Sequence, residues 1–91
     1  MSDKNTKLEV GLRLKAFRKM LGLSQQALAK VIGYAQRTIS DWERGRLEIP
    51  LQVLITLKQI YGLNIDWLLT GEGEPFITHT EPVKKKTPTR V

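Results

Sequence analysis

Glycine punctuates this chain at intervals that leave room only for short helices. Gly22, Gly33, Gly45, Gly62 and Gly71 each follow a stretch whose apolar residues recur at three- and four-residue spacing. Glycine takes the left-handed conformation that closes a helix at little cost, so each of these positions predicts a helix end. Start signals fall between them. Thr6 and Glu9 have the spacing of a capping box, with Val10, Leu14, Phe17 and Leu21 following as an apolar stripe. Ser24 suits the N-cap of a second helix carrying Leu28, Ala29 and Ile32. A third helix is expected over 35–44. A fourth should have Pro50 in its first turn, and Asn64 should cap a short fifth over "IDWLL".

The pattern predicts an all-α fold of five helices over residues 6–71, preceded by an arm at 1–5. After Gly71 the period is lost, and "EGEPFITHTEPVKKKTPTRV" holds three prolines and scattered charges. A flexible tail is expected over 72–91, with a short extended piece at "PFITH".

Several classes of function fall away on residue types alone. The chain has no cysteine, which removes disulfides and thiolate metal sites. Its single histidine, His79, lies in the tail, away from any serine–acid set, and no phosphate-binding loop or metal-ligand cluster is present. No catalysis, cofactor or metal is expected. No apolar run approaches the roughly 20 residues of a membrane span, so a cytoplasmic protein is the simplest expectation. The formal net charge is +6, and residues 1–71 carry five of it, with 11 Lys/Arg against 6 Asp/Glu. Such an excess suits a polyanion partner and equally suits plain solubility.

The third helix narrows the choice. In "YAQRTISDWERGR", at about 100° per residue, Trp42 and Ala35 fall beside Ile39 on an inner face. Arg37, Ser40, Asp41 and Arg44 lie about 100–200° away, while the acid Glu43 points inward at about 40°. A solvated surface helix fits this pattern. So does a groove reader, because about three residues around Gly33 separate this helix from the one before it, as in a helix-turn-helix. The second helix of such a pair enters the major groove, where Arg37 suits a guanine edge and Gln36 an adenine edge.

The segments "GLSQ" (22–25), "TISDWERGR" (38–46), Pro50 and "DWLLTGEG" (66–73), in that order, resemble the lambda repressor and Cro type of helix-turn-helix family. The resemblance covers residues 9–73. It implies a five-helix domain, sequence-specific binding of double-stranded DNA by a transcriptional repressor of phage or prophage type, and two-fold dimers on a pseudo-palindromic operator. It places Gln36, Arg37, Ser40 and Asp41 at base-contacting positions, and Gln25, Arg44 and Arg46 at phosphate-contacting ones. It also implies that Glu43 pairs with Arg18 of the first helix. The turn departs from the family pattern. Ala35 stands where a small hydroxyl residue is usual, and Tyr34 replaces a small aliphatic one, so Tyr34 is expected to lend its hydroxyl to a phosphate or to half-bury its ring.

Two further expectations come from the residues themselves. Arg37 and Asp41, four apart, should touch on the outer face. The fourth helix, "LQVLITLKQIY", spreads its apolar positions over about 220°, wider than one core needs, which points to a homodimer through helices 4 and 5 and the residues just after them. Burial of that helix on both sides by its own domain fits the same pattern. Lys84, Lys85 and Lys86 are expected to reach phosphates from the tail. An antitoxin-type autorepressor, a restriction-modification controller and an interaction module without DNA binding remain as alternatives. A toxin or the polymerase would be the further protein partner, and a nucleoid-associated location follows from the DNA-binding reading.

Overall fold

The computed structural model describes residues 3–77, with side chains from Thr6 onward. Five helices follow one another: α1 (Asp3–Met20), α2 (Gln25–Ile32), α3 (Gln36–Glu43), α4 (Leu51–Tyr61) and α5 (Ile65–Thr70). None of them is long and apolar enough to cross a membrane. The tail lysines and His79 lie outside the described residues.

The local signals account for most helix ends. Ser24 Oγ accepts the Ala27 N–H at 3.0 Å, satisfying one of the free donors at the start of α2. At its other end Gly33 (φ 80°) donates its N–H to the Ala29 carbonyl at 2.8 Å. Asn64 caps α5 in the same way as Ser24, through Trp67 N–H. Two starts differ from expectation. α1 begins at Asp3, so Thr6 sits a turn inside the helix and the Thr6–Glu9 spacing does not mark its origin. Pro50 is the N-cap of α4, one residue before the helix proper.

The core draws Leu14 and Phe17 from α1, Leu28 and Ala29 from α2, and Ile39 and Trp42 from α3. Val53, Leu54 and Leu57 of α4 join them, with Leu63 and Leu68 at α5. Each fully buried aliphatic or aromatic side chain is worth about 1.5–3 kcal/mol of transfer free energy. α1 and α3 approach closely at Gly11, where a Cβ would overlap the carbonyls of Trp42 and Glu43, so a side chain there would push the two helices apart.

Past α5 the chain turns back on itself. Leu63 and Phe76 form an isolated antiparallel bridge, with Asn64 N–H donating to the Pro75 carbonyl at 2.9 Å and Ile77 N–H to Gly62 at 2.8 Å. The Phe76 ring packs 4.8 Å from Phe17. Residues 72–77 are therefore part of the packed unit, beyond the expected boundary at 71. Arg13 ties α1 to α5 from the other side: its Nε donates to the Leu68 carbonyl at 2.8 Å and its Nη2 to Leu69 at 3.2 Å. Those carbonyls belong to the last turn of α5, where a cation also meets the negative end of the helix dipole.

Candidate nucleic-acid interface

α2 and α3 are separated by Gly33, Tyr34 and Ala35, and the turn is held by Gly33 and Tyr34 N–H groups that both donate to the Ala29 carbonyl. Ala35 was expected on the inner face of α3. It is exposed instead, because as N-cap it has extended backbone (φ −75°, ψ 149°) and lies outside the helical register. It makes no side-chain capping bond. The Tyr34 ring compensates for part of that loss by packing edge-on against Trp42, 5.1 Å between centroids, at the helix entrance.

Beneath α3 runs a chain of polar contacts. Arg18 Nε donates to Glu43 Oε2 at 2.6 Å and Nη2 to Oε1 at 3.0 Å, a two-point contact between groups 7% and 4% exposed. Arg18 Nη1 also reaches the Leu23 carbonyl at 2.8 Å, so the guanidinium fastens the turn after α1 as well. The hydrogen bond to Glu43 raises the Arg18 pKa above its ordinary value, outweighing desolvation, and the Glu43 charge adds in the same direction.

The same Glu43 Oε1 accepts from Gln25 Nε2 at 3.0 Å. A carboxylate only accepts, so the Gln25 amide nitrogen must face it, which turns Gln25 Oε1 outward. Gln36 Nε2 donates to that oxygen at 3.3 Å. Gln36 keeps its own carbonyl and one N–H free of this bond, the pair that a bidentate contact with adenine uses. The chain Arg18–Glu43–Gln25–Gln36 thus runs from a buried ion pair to an exposed amide at the start of α3.

Other outer-face residues take separate positions. Arg37 and Arg44 are exposed, and Ser40 and Asp41 are half-buried. Arg37 and Asp41 do not form the expected contact. Asp41 Oδ1 pairs with Arg46 Nη1 at 3.7 Å, because the turn through Gly45 (φ 76°) brings Arg46 back over α3. Its backbone is fixed there by Arg46 N–H donating to the Asp41 carbonyl at 2.9 Å. Gln25, Gln36, Arg37, Ser40, Asp41, Arg44 and Arg46 occupy the starts of α2 and α3, the outer side of α3 and the loop that follows. Gly11 and Arg13 orient α3 and α5 without belonging to this face. The only trace of Gly11 in the sequence is a glycine inside an otherwise good helix, which signals a close packing contact.

A helix-turn-helix family model matches residues 14–68. Repressor protein C2 of Salmonella phage P22 is 38% identical over 68 residues, covering 75% of this chain and 31% of that protein. The HTH-type transcriptional regulator DicA of Escherichia coli (strain K12) is 33% identical over 85 residues, 93% of this chain and 60% of its own. A SPbeta prophage-derived HTH-type regulator, YonR of Bacillus subtilis, is 36% identical over 66 residues, 72% of this chain and 61% of its own. The chain spans between 31% and 61% of the length of these relatives. It belongs to the helix-turn-helix family.

Proposed function

From membership in that family, we propose that the chain is a sequence-specific, double-stranded-DNA-binding transcriptional regulator, acting as a repressor of phage or prophage type. α3 enters the major groove, with Gln36, Arg37, Ser40 and Asp41 toward base edges. Gln25 and Tyr34, beside the starts of α2 and α3, and Arg44 and Arg46, after α3, meet phosphates, as helix N-termini and guanidinium groups favour. The observation that carries this reading is the bond from Gln25 to Gln36, backed by the Arg18–Glu43 pair. A side chain that only needed solvation would not be held from beneath through three polar contacts. Arg18 and Glu43 serve to hold helices together and do not touch DNA.

The operator is pseudo-palindromic and the protein binds it as a homodimer, with recognition helices about 34 Å apart. Support for the dimer lies at α4, where Val53, Leu54 and Leu57 face the core while Leu51 (69% exposed) and Ile55 (38%) share the opposite side one turn apart. Exposed Leu47 and Leu69 line a nearby cleft of about 380 Å³ with Val10, Ile49 and Leu54. Phe76 packs on the chain's own core while residues 72–74 are exposed, so the interface is assigned to α4, α5 and the residues just after them, with the α3–α4 loop. The protein acts in the cytoplasm, on the nucleoid. The test is selection from a random duplex library followed by gel retardation. A two-fold consensus with half-sites one turn apart is expected, and retardation of all duplexes alike would sink sequence-specific recognition.

A further inference from the structure

We propose that Asp41 discriminates against wrong sites, because DNA binding takes away its cation and cytosine N4–H is the base donor that best replaces it, the adenine amino group being flanked by the N7 acceptor. The inference rests on the reading of α3 as the base-reading helix. Asp41 Oδ1 lies 3.7 Å from Arg46 Nη1, the acid side chain 23% exposed and the arginine 63%. The Asp41 carbonyl holds the N–H groups of Arg46 at 2.9 Å and Leu47 at 3.4 Å, so the turn keeps the Arg46 backbone beside Asp41. Arg37, one turn earlier on the same face, forms no ion pair with Asp41 among the described residues.

The two partners have opposite fates on a duplex. Arg46 is the more exposed and the longer, and a phosphate accepts its fork more strongly than one half-buried carboxylate oxygen at this distance. Once Arg46 turns to the backbone, Asp41 is left without a cation beside a polyanion. A carboxylate only accepts hydrogen bonds, and in the major groove its established match is cytosine N4–H. Where that amino group stands opposite Asp41, a charge-assisted bond offsets the loss of Arg46. Where guanine or thymine stands there, the carboxylate meets O6, N7, O4 or a methyl group, and the repulsion remains. Asp41 therefore acts less by strengthening the right site than by weakening the wrong ones.

The test uses the full chain and two duplexes of equal length, the consensus recovered by selection with the parent and a scrambled version. Asp41→Asn should tighten binding to the scrambled duplex and leave the consensus little changed, so that the ratio of affinities falls about tenfold, within the discrimination one base contact provides. Reselection with Asp41→Asn should lose a cytosine at one position in each half-site. Asp41→Ser, too short for the same bond, should lose it too, and thermal melting checks that both variants fold. Glu9→Gln, which removes an exposed acid from α1, outside the reading face and the assigned interface, should shift both affinities together and so measures the plain effect of charge. If Asp41→Asn behaves like Glu9→Gln, with the ratio and consensus intact, Asp41 is only a background charge and the inference is wrong. If the parent chain itself recovers no consensus, the DNA-reading assignment of α3 fails, and this inference fails with it.

Discussion

Replacing Glu43 by alanine tests the scaffold and the reading face in one experiment. The carboxylate has three donors: Arg18 Nε at 2.6 Å, Arg18 Nη2 at 3.0 Å and Gln25 Nε2 at 3.0 Å. Without it, a guanidinium 7% exposed keeps, among the described residues, only the Leu23 carbonyl as a partner. Breaking a buried pair by removing one member typically costs about 3–5 kcal/mol, since the surviving charge stays desolvated. A domain of this size has about 5–15 kcal/mol of total stability, and each kcal/mol moves its melting point by about 4–8 °C. Glu43→Ala should therefore melt at least about 12 °C below the parent, followed by circular dichroism. A double change to apolar residues, Arg18→Met with Glu43→Leu, should recover most of that loss, because it removes the burial cost of both charges together.

Titration supplies an independent check on the same pair. The Arg18 pKa is raised on folding by its bond to Glu43, so its contribution is complete below the ordinary arginine range and is lost only as pH rises through the higher folded value. Stability owed to Arg18 should be flat across neutral pH, and the difference between the parent and the double variant Arg18→Met with Glu43→Leu should not change between about pH 6 and 9. On DNA, losing Glu43 releases Gln25 and with it Gln36, so the variant, assayed in the cold where it remains folded, should read the base opposite Gln36 less strictly. A Glu43→Ala chain that melts with the parent would refute the premise that this pair is buried and coupled.

Arg37→Ala should relax preference at one base pair in each half-site, worth about 1–3 kcal/mol, with nonspecific binding less affected. Arg46→Ala should weaken all sequences alike and lower the salt dependence of binding by about one phosphate contact, read from affinities at several salt concentrations. Leu51→Glu should shift the sedimentation equilibrium toward monomer and weaken operator binding without lowering the melting point, since Leu51 is exposed in the single chain. Gly11→Ala should destabilise by about 1–3 kcal/mol in urea unfolding, as the added methyl forces α1 away from α3, although alanine is the better helix former in isolation.

What could be read from the sequence was what short-range physics decides. Gly33, Gly62 and Gly71 end their helices because a left-handed residue is needed there, and Ser24 and Asn64 begin theirs by taking one free N–H. Both requirements are met within four residues of the residue concerned. The inward azimuth of Glu43 was legible for the same reason, since an acid beside Ile39 and Trp42 needs a cation from somewhere. The start of α1 was not legible. Thr6–Glu9 has the spacing of a cap whether or not the helix continues upstream, and here it does.

The remaining surprises are tertiary, and they share a cause. Asp41 and Arg37 have the right separation for a helical pair, yet a left-handed glycine beyond the helix delivers Arg46 to the same carboxylate. Phe76 stands in a proline-flanked stretch without period, and only the position of Phe17 shows why it returns to the core. Arg13 reads as a surface charge until the C-terminal carbonyls of α5 are set beside it. In each case the partner lies outside the residue's own element, where local spacing does not reveal it. The recognition face is assembled the same way. Gln36 can hold a fixed pose because Gln25 holds it, and Gln25 can because a buried carboxylate leaves its amide one orientation. A face built from such a chain should lose selectivity when a buried member is removed, though in the proposed reading no buried member contacts DNA. That separates it from a merely charged surface, on which only exposed substitutions would be felt.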